Sequence, residues 1–256
     1  MMHLFVVAAF LLFLFAFWYL SDSVRALEED MSTQMVYTTQ STADYVYYRL
    51  NRVAFSADAL KTSIGSLMYD EEDHYEEYRK IRNALMTTLD DKVMSYCRIY
   101  FAQDKLYAGQ FTNEWMLGNL ETLEPDMPEN GWAYSFWGTS HEENYGIIIG
   151  SRQVMSYYCP VRSQNDFNQV NGVIVMDLNV AEIEKMLRRG GSDTLYLIDE
   201  HGQILVSTDG TGIGEKLLKE PTVSELQNES ENGSFSVGHT RYVYLSLIHI
   251  SEPTRQ

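Results

Sequence analysis

The stretch from Trp115 to Asp177 contains side chains that together could bind a small charged organic molecule. An arginine guanidinium pairs with a carboxylate through two parallel hydrogen bonds, and an aspartate accepts hydrogen bonds from an ammonium group. Aromatic rings form the walls of such sites and also stack on sugar rings. These residue types indicate a zwitterion or a sugar as the ligand. The candidates for direct contact with it are Trp132, Tyr134, Trp137, Arg152, Tyr157 and Asp177.

Each candidate also has a purely structural interpretation. On alternating strands half of the side chains face the core, so the aromatic candidates can serve in packing alone. Arg152 follows Gly150 and Ser151 between predicted strands and can be an ordinary surface residue. Asp177 lies just before a predicted helix start and can cap the turn at Asn179. The sequence leaves both interpretations open.

Other residues that often do chemistry lack the necessary spacing. The glycines of DGTGIGEK at 209–216 match neither common form of phosphate-binding loop, so we predict a surface turn there. The acidic run at 70–77 is spread around a helix and is typical of a solvated face. We therefore predict no catalytic residue, no metal site and no cofactor. The spacing of zinc ligands is also absent from His74, His141, His201 and His239.

Composition narrows the possible partners. The 256 residues include 19 Lys and Arg against 36 Asp and Glu, a net charge of −17. Nucleic-acid binding needs a basic face, so we expect no nucleic-acid partner. The two cysteines, Cys97 and Cys159, lie in separate strands that we expect not to be neighbours. Because a disulfide needs close Cα atoms, we predict two buried thiols.

An uncharged N-terminal run, Leu4–Leu20, predicts a membrane anchor over residues 1–21. As a helix it would reach about 25 Å, near the lower limit for crossing a bilayer. Trp18 and Tyr19 lie at its end, as is typical of the membrane interface. A cleaved secretory signal is the alternative. In both interpretations the rest of the chain is membrane-attached or exported, and its acidic composition is compatible with a position outside the cytoplasm.

Residues 22–68 form a predicted stalk helix without proline. Its upper half has an apolar stripe with helical spacing, which predicts packing against a domain. This stripe consists of Leu50, Val53, Ala57, Leu60, Ile64 and Leu67. A looser stripe precedes it, and we expect it to pair with a second copy in a homodimer. This lower stripe consists of Val24, Leu27, Met31 and Met35.

After a helical stretch at 70–91, the hydrophobic pattern changes to alternation, which indicates strands. The strands are expected at 94–101, 106–111, 132–137, 145–150, 153–161 and 171–178. A helix at 180–189 follows and ends at Gly190 and Gly191. The pattern predicts an α+β fold whose PAS-like antiparallel sheet occupies residues 69–190. A second PAS-like unit at 191–244 begins with a hairpin and is too short to be complete.

The segment at 245–256 begins LSLIHISEPTR, which looks like the translation of a common sequencing adapter. We therefore exclude it from the fold and expect that the gene continued. A genuine apolar strand at the end of the domain is the alternative.

The combination of anchor, stalk and aromatic sheet resembles a known family. The sheet ends in NGVIVMDLNVAEIEKML, and the hairpin reads DTLYLIDEHGQILVSTD. Together they resemble the double-Cache extracytoplasmic sensor region of bacterial receptors, above all of Gram-positive sensor histidine kinases. The resemblance implies two stacked PAS-like Cache modules on one long helix, with the ligand between the sheet face and loops of the membrane-distal module, here residues 115–177. The Arg-x-Trp-Tyr element of amino-acid-binding members is absent.

The resemblance also implies a function. This chain would be the ligand-sensing region of a two-component sensor histidine kinase in the cell membrane, with its sensor domain outside the cytoplasm. A cytoplasmic kinase core beyond this segment would act on a response regulator, and no enzyme is expected in the segment itself. One alternative is the sensor region of a chemoreceptor or of a cyclic-dinucleotide enzyme. Another is a membrane-anchored binding protein without signalling output.

Overall fold

A computed structural model describes residues 2–65, 74–87, 93–101, 106–109, 116–117, 123, 131–145, 150–162, 169–190, 194–199, 202–216, 232–237 and 240–245. Within these, only the backbone is described for residues 2–10, 32, 74–78, 106–109, 116–117, 190, 232–237 and 240–245. The adapter-like residues from 246 to 256 lie outside the described residues.

One continuous helix, α1 (Met2–Gly65), contains both the predicted anchor and the predicted stalk. The apolar stripe of its upper half is buried, with Leu50 2% and Ile64 0% exposed, which confirms the predicted packing. The lower stripe is exposed, with Leu27 at 60% and Met31 at 56%. A search of the described residues for the anchor expected at 1–21 finds no helix long and apolar enough to cross a bilayer.

A second helix, α2 (His74–Thr87), lies within the predicted helical stretch. Ile81 and Leu85 are buried at 2% and 0% exposure, whereas Arg79 and Lys80 are exposed. The helix therefore packs one apolar face on the core and turns a charged face outward. The side chains of Leu67 and of the acidic run at 70–77 lie outside the described residues.

The largest sheet is antiparallel and has seven strands in the order β3-β2-β1-β7-β6-β4, with β5 pairing to β6. The long central strands contain the alternating, β-branched and aromatic segments from which strands were predicted. The strands are β1 (Met94–Phe101), β2 (Leu106–Gly109), β3 (Met116–Leu117), β4 (Phe136–Trp137), β5 (His141–Asn144), β6 (Ser151–Arg162) and β7 (Val170–Asn179).

One predicted strand differs from the structure. The strand expected at 132–137 is only Phe136–Trp137, because residues 132–134 form a turn and a bend. Residues 146–149 of the strand expected at 145–150 lie outside the described residues, and an additional polar strand, His141–Asn144, pairs with residues 151–154 of β6. Edge strands of this kind take their shape from a long neighbour rather than from their own hydrophobic pattern.

A short helix, α3 (Val180–Leu187), follows β7 directly. The Asn179 side chain accepts a hydrogen bond from the Ala181 N–H at 3.0 Å, so Asn179 is the N-cap. Asp177 does not cap this turn and has other partners, described below. Ile183 is fully buried, and the helix continues as a 3₁₀ turn at Arg188–Gly190.

The second unit begins with the predicted hairpin, β8 (Tyr196–Ile198) and β9 (Ile204–Ser207). Gly202 adopts a φ of 76° in its turn, a conformation that favours glycine. The glycine-containing segment at 209–216 forms surface turns, as predicted. A further antiparallel hairpin consists of β10 (Asn232–Val237) and β11 (Thr240–Leu245), and β11 contacts α1.

The main sheet separates two hydrophobic clusters. The larger, which we call the helix-side core, joins α1, α2 and α3 to one face of the sheet and includes Leu197, Leu205 and Val206 of the second unit. The smaller lies on the opposite face, which we call the outer face. Cys97 and Cys159 are buried free thiols on the helix side, on strands that both flank β7 but do not pair, which confirms that prediction.

Candidate ligand-binding site

Three central strands place polar side chains on the outer face. Arg98 of β1 is 5% exposed, and Ser156 of β6 and Asp177 of β7 are 0% exposed. Their neighbours along the chain point into the helix-side core, because successive side chains of a strand alternate between faces. Ser156 and Tyr96 are the direct partners of Asp177 in the register of the sheet. The register therefore brings these polar groups together.

The Asp177 carboxylate is held by donors from three strands or loops. Ser156 donates to its Oδ1 at 2.6 Å, and the Tyr145 hydroxyl donates to its Oδ2 at 2.7 Å. Arg98 Nη2 lies 3.3 Å from the same Oδ2. A buried carboxylate without such partners would be strongly unfavourable. Asp177 is therefore a fixed anion at the floor of the site.

The Arg98 guanidinium lies between carboxylates and aromatic rings. Its Nη2 is 3.2 Å from Glu143 Oε2, and its Cζ lies 5.6–5.9 Å from the ring centres of Tyr96, Tyr100 and Tyr145. Burial alone would lower the pKa of Arg98, but Asp177, Tyr100 and Glu143 together raise it. The arginine stays charged, and its buried Nε–H has no acceptor within the part of the chain that the structure describes.

Glu143 is the more accessible of the two carboxylates. It lies on the edge strand β5, its side chain is 28% exposed, and His141 Nε2 is 3.6 Å from its Oε2. Burial raises the pKa of Glu143, but the neighbouring His141 and the charge and hydrogen bond of Arg98 outweigh it and lower the pKa to about 2. The pKa of Tyr145 is raised, first by burial and then by Asp177. Its hydroxyl therefore remains a donor.

An aromatic group adjoins this charged group on the outer face. The rings of Phe136 and Tyr158 stack with centroids 4.8 Å apart, and Trp132 lies 6.1 Å from Tyr158. Arg162 fixes the loop beneath by donating to the carbonyl of Ala133 at 2.6 Å. Tyr158 is buried and Trp132 and Phe136 are partly buried, so the latter two rings could contact the apolar or flat body of a ligand whose charged end lies at Arg98.

The predicted contact residues fall into separate environments. Trp132 and Asp177 lie on the outer face, in the aromatic and charged groups respectively. Trp137 and Tyr157 pack against each other at 4.5 Å on the helix side, where burial raises the pKa of Tyr157. The remaining two candidates are exposed, Tyr134 at 73% and Arg152 on the outer end of β6. The sheet thus brings Trp132 and Asp177 to one face and separates them from Trp137 and Tyr157.

Sequence reasoning overlooked the arginine that pairs with Asp177. Arg98 lies two residues after Tyr96 and two before Tyr100 in the mainly hydrophobic strand β1. Side chains two residues apart in a strand point to the same face, so all three lie together. A charged side chain at the centre of such a strand is a usable signal for a buried ion pair. Glu143 carries no comparable signal, because it belongs to a polar segment that was not predicted as a strand. Tyr145 begins the strand expected at 145–150, and its residue type alone does not indicate a contact with Asp177.

Comparison with family models and with curated proteins gives no match. Among solved structures, the chain is similar to the ligand-binding domain of Pseudomonas fluorescens chemoreceptor CtaA in complex with L-leucine, with a TM-score of 0.56, 15% identity, and coverage of 86% of this chain and 88% of that one. It is similar to the ligand-binding domain of Pseudomonas aeruginosa amino acid chemoreceptor PctB in complex with L-Arg, with a TM-score of 0.55, 15% identity, and coverage of 74% and 76%.

A third similar structure is the periplasmic sensory domain of a Campylobacter jejuni chemoreceptor, with a TM-score of 0.51, 15% identity, and coverage of 78% of this chain and 82% of that one. At this level of identity the likeness establishes the fold: a long helix and a PAS-like sheet in the arrangement of chemoreceptor sensor domains.

Proposed function

We propose that this chain is the extracytoplasmic sensing region of a bacterial membrane receptor and that its small-molecule ligand binds on the outer face, at Arg98 and Asp177. One observation carries the proposal: a buried, charged pair surrounded by aromatic rings lies on the face of the sheet that the long helix does not cover. The fold is that of domains solved with amino acids bound.

The energetics of the charged pair support a role beyond stability. Replacing a buried ion pair by well-packed apolar residues is often neutral or stabilising, so such a pair is weak evidence of a structural need. The unused N–H at Nε adds a further cost of about 1–3 kcal/mol. A ligand that accepts a hydrogen bond there would remove this cost. The arrangement therefore favours binding.

Membrane attachment is part of the proposal. The uncharged run Leu4–Leu20 belongs to α1, and from Leu11 to Leu20 its large apolar side chains are 46–69% exposed. Exposed apolar surface of this extent is unfavourable in water and suits a lipid environment. We propose that this end of α1 is inserted in the membrane, with the sheet outside the cytoplasm.

The lower stripe of α1 supports a homodimer. Val24, Leu27, Met31 and Met35 recur at helical spacing and are 48%, 60%, 56% and 39% exposed. A second copy of the helix would cover the stripe in the manner of a coiled coil. The dimer would hold two sensor modules side by side above the membrane.

Signal output would begin at β5. Ser140, just before that strand, donates its backbone N–H to the carbonyl of Leu205 in β9 at 3.1 Å, while Glu143 and Tyr145 contact the charged pair. A ligand that changes the position of β5 would therefore bias the second unit directly. Such a bias is a shift between two conformations of the module.

The cytoplasmic partner is open to two proposals. The resemblance of the sheet ending and hairpin favours a sensor histidine kinase acting on a response regulator. The structural likeness to chemoreceptor domains favours a chemoreceptor instead. The sequence of the uninterrupted gene after residue 244 decides between them, and it would also reveal a cyclic-dinucleotide enzyme or a binding protein that ends after the sheet.

A thermal-shift screen tests the sensor proposal. The full chain in lipid nanodiscs would be heated with amino acids, organic acids and sugars. A ligand at about 100 times its Kd stabilises by about 2.7 kcal/mol. We expect at least one compound to raise the Tm and Arg98→Gln to abolish that rise. Stabilisation that survives both Arg98→Gln and Arg98→Lys would contradict the site.

A further inference from the structure

We infer that the ligand binds through a carboxylate that takes the place of the Glu143 carboxylate on Arg98, so that Glu143 acts as a competitor built into the chain. The inference rests on the proposed function of the outer-face site and adds the chemical class of its ligand. It is carried by the different ways in which the two carboxylates are attached to Arg98.

Asp177 cannot leave Arg98 easily. It is fully buried and accepts short hydrogen bonds from Ser156 and Tyr145 in addition to its contact with the guanidinium. An ammonium group of a ligand would find these acceptor positions already taken by Ser156, Tyr145 and Arg98. Asp177 is therefore better suited to hold Arg98 in place than to receive a cation.

Glu143 has the opposite properties. Its side chain is 28% exposed, its strand β5 pairs only with β6 among the described strands, and its other neighbour, His141 Nε2, lies 3.6 Å from its Oε2. Water can solvate this carboxylate once it swings outward, and an incoming carboxylate replaces the contact with Arg98 that it gives up. An incoming carboxylate could therefore exchange with it.

The exchange leaves the charge of the site unchanged. One carboxylate leaves Arg98 and another arrives, while the pair of Arg98 with Asp177 is kept. A small ligand is free to orient its two oxygens in a way that a tethered glutamate is not, and it can use the buried Nε–H that Glu143 leaves without an acceptor. Two parallel hydrogen bonds to one guanidinium are stronger and more specific than one.

The rings beside Arg98 define the rest of the ligand. Tyr96, Tyr100 and Tyr145 surround the guanidinium, and the aromatic group around Trp132 and Tyr158 adjoins them. Among them, the partly buried rings of Trp132 and Phe136 favour an apolar or flat body attached to the carboxylate. The class is thus a small organic acid, for which an amino group is not required.

Matched probes on one carbon skeleton test the class. The full chain in nanodiscs would be titrated with 4-methylpentanoate, 4-methylpentanamide and 4-methylpentylamine, and in parallel with 3-phenylpropanoate and its amide. We expect a carboxylate to bind, its amide and the amine not to bind, and the Arg98 Nε–H resonance to shift on binding. Binding of the amine or an amide alone, or of no carboxylate in the set, overturns the inference.

Glu143→Gln tests the competitor. Removing a charged competitor should tighten carboxylate binding by about tenfold or more, since a hydrogen bond to a charged group contributes about 1.5–3 kcal/mol. The control is Glu142→Gln, which makes the same change at the exposed neighbouring position of β5. Equal affinity of the two variants overturns the competitor role.

Arginine variants separate this inference from the sensor proposal. Arg98→Lys keeps the charge but loses the fork of donors, so we expect carboxylate affinity to fall at least tenfold in a folded protein. Arg152→Gln removes the other arginine from which a carboxylate site was predicted. Loss of binding in Arg152→Gln with none in Arg98→Lys overturns the inference. A ligand without a carboxylate that is lost in Arg98→Gln would overturn only the ligand class and leave the sensor proposal standing.

Discussion

The two faces of the central sheet are built from the same strands but have opposite chemistry. Met176 points into the helix-side core, while Asp177, the next residue, holds the charged group of the outer face. Cys97 and Arg98 differ in the same way on β1. The helix side is apolar and is closed by α1 and α3, whereas the outer face combines buried charges with aromatic rings. Residues that pack the core and residues of the proposed binding site are therefore adjacent in the sequence of each strand rather than in different domains.

This separation means that substitutions one residue apart should have different consequences. A change on the helix side should lower stability and leave the affinity of the remaining folded protein intact. A change on the outer face should alter ligand binding, whatever it does to stability. The predictions below test this distinction, from the largest expected effect to the smallest.

Asp177→Asn should have the largest effect. It leaves the buried Arg98 without its central carboxylate, and breaking a buried pair costs about 3–5 kcal/mol. Denaturant unfolding of the full chain measures the loss. Arg98→Gln combined with Asp177→Asn should recover part of it, because no uncompensated charge then remains. If the double variant loses as much free energy of unfolding as the two single variants together, Arg98 and Asp177 are not energetically coupled.

Met176→Ala, one residue away, should cost about 2–5 kcal/mol for a different reason. The side chain is fully buried in the helix-side core, and its removal leaves a cavity. The Arg98 Nε–H resonance and the affinity for any ligand should be unchanged in the folded protein. A changed resonance would show that the two faces are not independent.

The sequence was sufficient to predict the helix side of the molecule. The stripe of α1 from Leu50 to Ile64 and the strands around Ile99 and Ile174 have regular hydrophobic periods, and all are buried as expected. Local periodicity reports burial well because one face of a helix or strand must be apolar along its whole length. These elements fix the architecture of the sheet module.

The outer face was predictable only in part. Trp132 and Asp177 were singled out from their residue types and both lie on this face, but Arg98 was not, and the strand that contains Glu143 was not predicted. The partners of Asp177 come from β1, β6 and the segment after β5, which are far apart in sequence. Periodicity carries no information about which distant strands pair, so the composition of the site depends on the register of the sheet.

Gly138→Ala should have a smaller effect confined to the outer face. A Cβ at this position would lie 2.9 Å from Cε2 of Tyr158, so the ring must move, at a cost of about 1–3 kcal/mol. We expect the stacked pair of Phe136 and Tyr158 to be disturbed, with a change in near-ultraviolet circular dichroism. Gly65→Ala is the control, since its Cβ would have no neighbour within 4 Å. Equal spectra for the two variants would contradict the close packing.

The smallest effect should be a pH dependence that belongs to Glu143. Its pKa is lowered from the ordinary value of 4.5 to about 2, so the folded state binds a proton less readily than the unfolded state. Folding therefore gains stability from this group above its unfolded pKa and loses it as the pH falls from about 4.5 towards 2. Glu143→Gln should flatten this part of the profile of unfolding free energy against pH.

The comparison with Glu142→Gln isolates that contribution. Asp209 has a pKa that hydrogen bonds from Ser207 and Thr211 also lower to about 2, so it titrates over the same range and is present in both variants. The difference between the two profiles cancels Asp209 and leaves Glu143. A saturating carboxylate ligand should make the profiles of the two variants more alike. Glu143 would then be displaced from Arg98 and would titrate near its ordinary value. An unchanged difference with ligand bound would mean that Glu143 keeps its place on the guanidinium.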